Sequence, residues 1–402
     1  MKKDKLFLPK KLADEKIALL INKIIDFTFF GEKLTFYLSH ALFSSFDVDA
    51  GTKLLLKTIA KKINFGSMVK VKDIGAGTGI IGICLKKRFP HIEVTFTDRD
   101  MLALDFTKIN CELNNINDYN ISGELGIECT AEEYDFIASN IPAKMGDKGF
   151  DDLLKKMLSS LKPMGICAIV VIKPLEEKIR AMLNGNNAHI CFEEEGNAHW
   201  VCHFKASPDY AKTQAANVLE PYLRGNLIFD FLGHSCKLRT VFNLPDFDTL
   251  GYQSELLLKL IEKENIGGIC LFWNPLQGHI PVIAGRMFSG KITRYILASR
   301  DLLQLRISQD NLEANGISHD SISIYHVSFI SDVNEPVHNC FILPDIIPMA
   351  DSYAVVLKDL QASNIYISDK SSNIFRLLDS HQSCRCVKKI KKNGFTGISL
   401  VE

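Results

Sequence analysis

A glycine-rich stretch early in the chain has the composition of a ligand-binding turn. It reads Asp73-Ile74-Gly75-Ala76-Gly77-Thr78-Gly79 and separates a strand-like apolar run from a helix-like one. Glycines at a strand-to-helix turn let the backbone approach a bound molecule that any Cβ would push away. A dinucleotide-binding loop needs the spacing G-x-G-x-x-G, and position 80 is Ile80 rather than glycine. The pattern therefore predicts a binding loop but disfavours a hydride-transfer enzyme.

Two carboxylates accompany this loop. Asp98 ends the next predicted strand, where it faces the same crevice and can accept hydrogen bonds from both hydroxyls of a ribose. An Asp at this place is also a good helix N-cap, which is the alternative role for Asp98. Asp73 precedes the first glycine by two residues, and its alternative role is to stabilise the turn.

A second chemically informative segment is Asn140-Ile141-Pro142-Ala143, which follows another predicted strand. It resembles the Asn-Pro-Pro-aromatic motif of methyltransferases that alkylate amide or nucleobase nitrogens. The lone pair of such a nitrogen is delocalised. An Asn side-chain oxygen and the next backbone carbonyl can accept its two N–H bonds, restore lone-pair density and aim it at a methyl group. Proline stiffens the turn.

Two positions depart from this motif. Ile141 replaces its first proline, and Ala143 replaces the aromatic residue that would stack on a base. Loss of a stacking face costs roughly 1–3 kcal/mol per base. Either another aromatic residue such as Phe46 or Phe150 takes its place, or the methyl acceptor is not a nucleobase.

The elements that would position these residues alternate between strand and helix. Apolar runs of four to seven residues separated by helical patterns predict a parallel sheet covered on both faces. In chain order the predicted elements are a strand at 69–74, a helix at 80–89, a strand at 92–97, a helix at 101–114, a strand at 136–139, a helix at 153–161 and a strand at 167–172.

The chain contains an internal repeat of the kind that indicates two similar domains. Four short motifs recur at a spacing of 201 or 202 residues, for example from 27 to 229 and from 100 to 301. They include a Leu triplet at 54 and 256 and an Asn-x-x-x-Asn pair at 110 and 311. The second copy predicts strands at 269–272, 295–298, 340–343 and 364–367. A polar segment at 207–222, with a Pro near each end, predicts the linker between domains 1–206 and 223–402.

The second copy lacks most of the residues described above. At a spacing of 201, the loop positions 73, 75, 77 and 79 correspond to Asn274, Leu276, Gly278 and Ile280. Asp98 corresponds to Ser299, and the Asn140 region becomes Leu343-Pro344-Asp345. The second copy is therefore predicted to bind no cofactor.

Bulk composition narrows the class of protein. The chain has 402 residues, and its 47 Lys and Arg balance 47 Asp and Glu, so no overall polycation indicates nucleic-acid binding. Eleven cysteines scattered in apolar stretches indicate buried thiols in a reducing compartment. The nearest pair, Cys384 and Cys386, lacks zinc spacing. We expect a cytoplasmic protein with no metal site and no membrane segment. The residues specify no oligomeric state.

Taken together, the motifs point to one family. The loop resembles motif I of class I methyltransferases, which bind S-adenosylmethionine (SAM). The stretch from Phe43 to Thr52, followed by the Leu triplet, resembles the lead-in of the tandem ribosomal RNA guanine-N2 methyltransferases of the methyltransferase small domain group. Those proteins also pair an intact copy with a degenerate one. Their working copy is C-terminal, whereas the intact copy here is N-terminal.

The resemblance spans most of the chain and implies an α/β fold of two tandem Rossmann-like domains, the second degenerate. It implies SAM as the cofactor, with Asp73 on its methionine side, Asp98 on its ribose and Glu124 on its adenine. The predicted SAM-binding set is completed by Gly75, Ala76, Gly77, Thr78, Gly79, Arg99 and Asn140. Asn140, Ile141 and Pro142 are the predicted catalytic residues.

The resulting prediction is a SAM-dependent N-methyltransferase that acts on RNA, at guanine N2 of the ribosomal RNA type. Two alternatives stay open. Ala143 and the zero net charge favour a small molecule or a protein as the methyl acceptor. The imperfect reaction motif and the altered second copy favour a non-catalytic SAM-binding or scaffold protein.

Overall fold

The computed structural model of the protein describes residues 15–43, 46–128, 133–212, 217–345, 357, 360–380 and 385–401. These residues form two compact α/β units. The first is drawn from Met1–Asp98, Leu102–Ala143 and Asp151–Ala215, and the second from Arg99–Met101, Lys144–Phe150 and Ala216–Glu402. Because two short segments early in the chain belong to the second unit, the division is not a single cut.

The first part of the chain begins with a short helix and a hairpin and continues as an alternation of strands and helices. Its elements are α1 Glu15–Leu20, β1 Ile21–Phe29, β2 Glu32–Ser39, α2 Ala50–Lys62, β3 Lys70–Ile74, α3 Ile80–Arg88, β4 Glu93–Asp98, α4 Met101–Leu113, β5 Asn120–Gly123, β6 Tyr134–Asn140, α5 Asp147–Ser159, β7 Leu161–Ile172, α6 Glu176–Gly185, β8 Ala188–Glu195 and β9 His199–Ala206.

Seven of these strands form one sheet in the order β5-β4-β3-β6-β7-β9-β8. The first five are parallel, whereas β9 is antiparallel to both of its neighbours. The predicted all-parallel sheet is therefore wrong at this edge. Only three residues connect β8 to β9, and a connection this short can join antiparallel strands only. Apolar side chains from the central strands pack with those of α2, α3 and the β1–β2 hairpin.

The second part of the chain repeats this plan. Its elements are β10 Leu223–Phe231, β11 His234–Val241, α7 Tyr252–Ile261, β12 Gly268–Trp273, α8 His279–Met287, β13 Ile292–Ser299, α9 Leu302–Ala314, β14 Ile322–His326, β15 Val337–Ile342, β16 Ala362–Lys370, α10 Ser371–Ser380, β17 Arg385–Lys392 and β18 Phe395–Val401. The sheet order is β14-β13-β12-β15-β16-β18-β17, which is the order of the first sheet position by position. Both units are Rossmann-like and both sheets are mixed.

The repeated Asn-x-x-x-Asn motif has a structural explanation. In the first unit Asn110 on α4 and Asn114 just after it each accept a backbone N–H from β2 and donate to a β2 carbonyl. Asn311 on α9 and Asn315 just after it make the same four hydrogen bonds to β11. Each pair ties a hairpin to its helix through an amide that has both a donor and an acceptor.

Most predicted elements coincide with observed ones to within a few residues. The largest differences are that α5 begins at Asp147 rather than 153, and that β7 begins at Leu161 rather than 167. The early part of β7 includes a register irregularity, and its residue Met164 has a left-handed φ of 70°. An apolar-run pattern does not detect such an interrupted strand.

The predicted linker is partly packed. The Tyr210 hydroxyl donates a hydrogen bond to the Lys155 carbonyl of α5 over 3.0 Å, and Leu219 and Tyr222 are buried. Ser44 and Ser45, within the stretch from Phe43 to Thr52, and Cys384 lie outside the described residues. In the described part of the chain no helix is long and apolar enough to cross a membrane. Among the same residues, no group of three or more His, Cys, Asp or Glu side chains is placed to hold a metal ion.

Candidate functional site

The glycine-rich loop connects β3 to α3 at the carboxyl edge of the first sheet. The backbone N–H groups of Gly75 and Ala76 both donate to the Thr97 carbonyl of β4, at 2.8 and 3.0 Å. Gly75, Gly77 and Gly79 have left-handed φ values of 66°, 60° and 82°. A Cβ built at Gly75 or Gly77 would meet no atom within 4 Å, so open space lies beside both residues. The loop is therefore a cradle whose shape depends on glycine.

Asp98 lies at the end of β4, beside this loop, as the sequence predicted. Its Oδ2 atom accepts the Gly77 N–H over 2.9 Å. The carboxylate is half-buried and has a second oxygen. A carboxylate in this place can orient the loop and accept further hydrogen bonds from a hydroxylated ligand.

Asp73 is buried beneath the loop, with 1% of its surface exposed. Its Oδ2 accepts the Gly82 N–H of α3 over 2.8 Å, whereas its Oδ1 has no hydrogen-bond partner among the described residues. Burial and, to a smaller extent, the nearby Asp98 carboxylate raise the pKa of Asp73 to about 7, against the hydrogen bond from Gly82, which lowers the pKa. A buried oxygen without a partner fits a bound polar molecule or water that would complete it.

The remaining two charged residues of the predicted set have protein partners. Glu124 lies directly after β5. Its two carboxylate oxygens accept hydrogen bonds from Lys72 Nζ at 3.2 and 2.9 Å, and one of them also accepts a hydrogen bond from the Ser122 hydroxyl. Arg99 belongs to the second unit, where its guanidinium pairs with Asp301 at 3.1 Å. The roles predicted for Glu124 at adenine and for Arg99 in SAM binding stay predictions.

Asn140 ends β6, the strand that pairs with β3, so it lies at the same sheet edge as the loop. Its side-chain nitrogen donates to Asp49 Oδ2 and to Thr52 Oγ1, both at 3.0 Å. The side-chain oxygen of Asn140 accepts no hydrogen bond from any of the described residues, so it is available as an acceptor. Ile141 is buried and its N–H donates to the Val170 carbonyl, while Pro142 is exposed.

The two candidate aromatic replacements for Ala143 differ in exposure. Phe150 is only 2% exposed and offers no face for stacking, so that suggestion was wrong. Its position on the apolar face of α5 explains its burial. Phe46 is 63% exposed and contacts His40 in an edge-on arrangement with ring centroids 4.9 Å apart. Phe46 stays a candidate stacking residue.

The corresponding loop of the second unit corrects the alignment made from sequence. Helix α3 is capped by Gly79 and helix α8 by Gly278, both left-handed, which gives a spacing of 199 residues rather than 201. Three equivalent hydrogen bonds confirm this register. The Gly79 N–H donates to the Ala76 carbonyl, as the Gly278 N–H does to the Pro275 carbonyl. The side chains of Thr107 and Asn110 donate to the carbonyls of Gly77 and Thr78, as those of Ser308 and Asn311 do to the carbonyls of Leu276 and Gln277.

Asp73, Gly75 and Gly77 therefore correspond to Phe272, Asn274 and Leu276. The spacing is shorter because three residues fewer separate the Leu triplet from the loop in the second copy. Asn274 and Leu276 keep left-handed φ values of 54° and 52°, although they are not glycine. Both side chains are buried. The space that is open beside the first loop is thus filled by the protein itself in the second.

Sequence reasoning missed four residues of the site. Thr107 and Asn110 of α4 hold the loop carbonyls of Gly77 and Thr78. Asp49 and Thr52, at the start of α2, hold Asn140. The repeat contained Asn110 and the family lead-in contained Asp49 and Thr52, but neither pattern indicates what a side chain contacts.

Comparison with known proteins identifies related sequences and a related fold. Residues 33–193 match the model of the family described as Methyltransferase small domain. The Haemophilus influenzae (strain PittGG) protein named ribosomal RNA small subunit methyltransferase C is 32% identical over 131 residues, which cover 33% of this chain and 38% of that protein. A Pseudomonas putida protein of the same name is 33% identical over 133 residues, covering 32% and 39%. These matches thus cover less than two fifths of either relative.

A solved structure resembles a larger part of the chain. It is that of a T. thermophilus 16S ribosomal RNA N2 G1207 methyltransferase in complex with AdoMet and guanosine. It matches with a TM-score of 0.66 and 14% identity, over 95% of this chain and 99% of that chain. At this identity the likeness shows a shared fold.

Proposed function

We propose that this protein is a SAM-dependent N-methyltransferase that acts on RNA, at guanine N2 of the ribosomal RNA type. The observation that carries the proposal is the position of Asn140. Its side-chain oxygen, which accepts no hydrogen bond from the described residues, lies at the same sheet edge as an open glycine cradle and the Asp98 carboxylate. The matched family and the names of the relatives support this choice of reaction and acceptor.

The residues of the first loop fit SAM. Open space beside Gly75 and Gly77 accommodates a ligand close to the backbone, and Asp98 can accept hydrogen bonds from ribose hydroxyls. The buried Oδ1 of Asp73, which has no hydrogen-bond partner in the described part of the chain, supplies a further polar contact beneath the loop. We propose that Asp73, Gly75–Gly79, Asp98, Glu124 and Asn140 bind SAM, while the SAM-binding role of Arg99, which belongs to the second unit, stays a prediction. When bound, SAM supplies an electrophilic methyl group on a sulfonium.

The chain itself has to position the acceptor amine. The Asn140 side-chain oxygen and the Ile141 carbonyl accept the two N–H bonds of the amine, which restores density to the nitrogen lone pair. SAM held beside the loop and Asp98 would supply the methyl group to this nitrogen, and the amine proton would leave to solvent. Pro142 restricts the turn that carries both acceptors. Catalysis of this kind depends on orientation rather than on a titrating side chain.

We also propose that the two units arose by duplication, with domains at 1–206 and 223–402 joined by 207–222. The identical strand orders and the matching Asn hydrogen bonds support a common origin. The second unit is proposed to bind no SAM. Asn274 and Leu276 fill the cradle, and Ser299 stands where Asp98 supplies a carboxylate.

A second candidate is the methylation of a protein or small-molecule amide. Ala143 is exposed and presents no ring on which a base could stack. An amide acceptor would use the same Asn140 oxygen and would not need that ring.

The decisive experiment measures methyl transfer from labelled SAM to unmethylated transcripts of small-subunit ribosomal RNA. Nucleoside analysis should yield N2-methylguanosine with the wild-type protein. Asn140→Ala is the matched control, because it should still bind SAM in calorimetry while producing at least about 100-fold less methylated nucleoside. SAM binding without transfer to any RNA would contradict the RNA proposal and direct the search to protein amides.

RNA binding itself can be measured at several salt concentrations. Phosphate contacts release counterions, so affinity for RNA should fall steeply from 50 to 200 mM salt. An affinity for the transcript that is independent of salt would argue against a backbone-binding surface and for the second candidate.

A further inference from the structure

The segment just before helix α2 was singled out in the sequence without a chemical role. Asp49 is the N-cap of α2, and its Oδ2 accepts the N–H groups of Gly51 and Thr52 at 2.9 and 3.2 Å. A Cβ at Gly51 would lie 2.9 Å from that same oxygen and 2.9 Å from the His199 ring. Glycine at 51 therefore keeps the carboxylate oxygen accessible.

The same oxygen reaches the candidate catalytic side chain. Asp49 Oδ2 and Thr52 Oγ1 each accept one hydrogen bond from the Asn140 side-chain nitrogen. Both hydrogens of the amide are thereby used. Because an ionised carboxylate can only accept, the nitrogen of Asn140 must face Asp49 and its oxygen must face away.

We propose that Asp49 and Thr52 are positioning residues that fix the Asn140 amide in the orientation required for methyl transfer. The inference rests on the proposed function and identifies what orients its key acceptor. An unheld asparagine can rotate its amide by half a turn, which would present N–H donors to an amine that needs acceptors. With the two contacts in place, the acceptor orientation is set before the substrate binds.

The second unit offers a natural comparison. Helix α7 is capped by Gly251, so Asp49 corresponds to Gly251 and Thr52 to Ser254. Ser254 there donates to Asp246 instead. By strand register, Asn140 corresponds to Leu343. The carboxylate and the asparagine that it orients are thus absent together from the second unit, whereas the helix and its fold are retained.

The first test uses Thr52→Val, which keeps the shape of the side chain but removes the acceptor. We expect kcat for RNA methylation to fall about tenfold, or about 1.4 kcal/mol, with the SAM dissociation constant within about twofold of wild type. Thr52→Ser restores the oxygen and should recover most of kcat. Asp49→Ser, which retains a good N-cap, should lower kcat clearly and the melting temperature only slightly. A purely structural role would instead lower the melting temperature of Thr52→Val and leave kcat unchanged.

A double-mutant cycle links the effect to Asn140. In an Asn140→Ala background, Thr52→Val should change the residual rate by less than twofold, because the amide that it orients is gone. An equal loss in both backgrounds would overturn the proposal.

Side-chain amide exchange tests the contacts without activity. In protein labelled with ¹⁵N-asparagine, the signal missing from Asn140→Ala identifies the Asn140 amide. Its hydrogens should exchange at least tenfold faster in Thr52→Val than in wild type. Unchanged exchange would overturn the positioning role. If exchange responds but no RNA is methylated, the contacts hold and the proposed function fails.

Discussion

The loops at 75–79 and 274–278 follow the same backbone path and contain different side chains. Both begin with a left-handed residue whose N–H bonds to the neighbouring strand, and both end with a left-handed glycine at a helix N-cap. In the first loop the intervening left-handed position is a glycine with open space beside it. In the second it is Leu276, which is buried.

The polar groups around the two loops show the same contrast as the side chains. In the first unit the Gly77 N–H donates to the Asp98 carboxylate, which is partly exposed. In the second unit the equivalent N–H of Leu276 donates to the Gln304 side-chain oxygen, and Ser299 donates to Asn274. The second loop satisfies its polar atoms internally. A loop that binds a ligand leaves acceptors and space unfilled, and this contrast separates a binding loop from a structural one more sharply than backbone shape does.

The largest effect should come from making the first loop resemble the second. Gly77→Leu places a side chain in the open space and should abolish measurable SAM binding in calorimetry, a loss of at least about 1,000-fold, or about 4 kcal/mol. The left-handed φ also costs roughly 1–2 kcal/mol in stability. The matched control, Leu276→Gly in the second unit, should leave SAM affinity unchanged. Tight SAM binding by Gly77→Leu would show that the cradle is not the cofactor site.

The next largest effect concerns Asn140. Asn140→Ala should lower kcat by about 100- to 1,000-fold, comparable to the loss of a catalytic hydrogen-bonding group elsewhere, and should lower SAM affinity far less than it lowers kcat. Leu343→Met is the matched control at the corresponding strand end and should not affect kcat. If kcat survives in Asn140→Ala, the second acceptor carbonyl would be sufficient and the difference between the two strand ends would not be functional.

Asp98→Ala should weaken SAM binding about 100-fold, since hydrogen bonds to a charged group contribute about 1.5–3 kcal/mol each. The loop also loses the acceptor of the Gly77 N–H. Ser299→Ala changes the corresponding residue of the second unit and should alter stability by about 1 kcal/mol without affecting SAM affinity. Parallel titrations of the two variants measure this difference. Equal affinities would remove Asp98 from the cofactor site.

The smallest effect is the pH dependence of stability that Asp73 contributes. The folded pKa of Asp73, about 7, is raised above its ordinary value of 3.8 by burial. Its neutral form is therefore favoured by folding. The associated stability is fully present below about pH 4 and is lost as the pH rises through 7. Between pH 5 and pH 7 the change should be about 2 kcal/mol.

Asp73→Asn should remove this component, so the variant gains stability over wild type as the pH rises. Melting temperatures from pH 5 to pH 8 measure the difference. The second unit has Phe272 at this position, and its own buried carboxyl Asp345, whose pKa burial raises to about 6, contributes equally to the variant and the wild type. A pH profile identical in the variant and the wild type would show that Asp73 does not titrate in this range.

Sequence patterns predicted the repeated strand–helix framework and the loop because both depend on local signals. Hydrophobic periodicity located β3, α3, β4 and α4 within a few residues, and the glycines predicted the turn between β3 and α3. The β8–β9 hairpin was missed, since its first strand alternates exposed and half-buried residues at the sheet edge. The alignment of the second loop was also wrong by two residues, because a constant spacing cannot reveal where a deletion falls.

The sequence by itself determined the residue types available for chemistry: glycines without Cβ atoms, the Asp98 carboxylate, and an Asn-Ile-Pro turn. It could not determine which of them meet, because those contacts join residues far apart in the chain. Asp49 lies 91 residues before Asn140, and only the adjacency of α2 to the end of β6 brings them to 3.0 Å. Burial of Asp73 and the filling of the second loop likewise depend on packing around each residue. Local propensity sets the elements, whereas desolvation and hydrogen-bond partners are properties of the assembled tertiary structure.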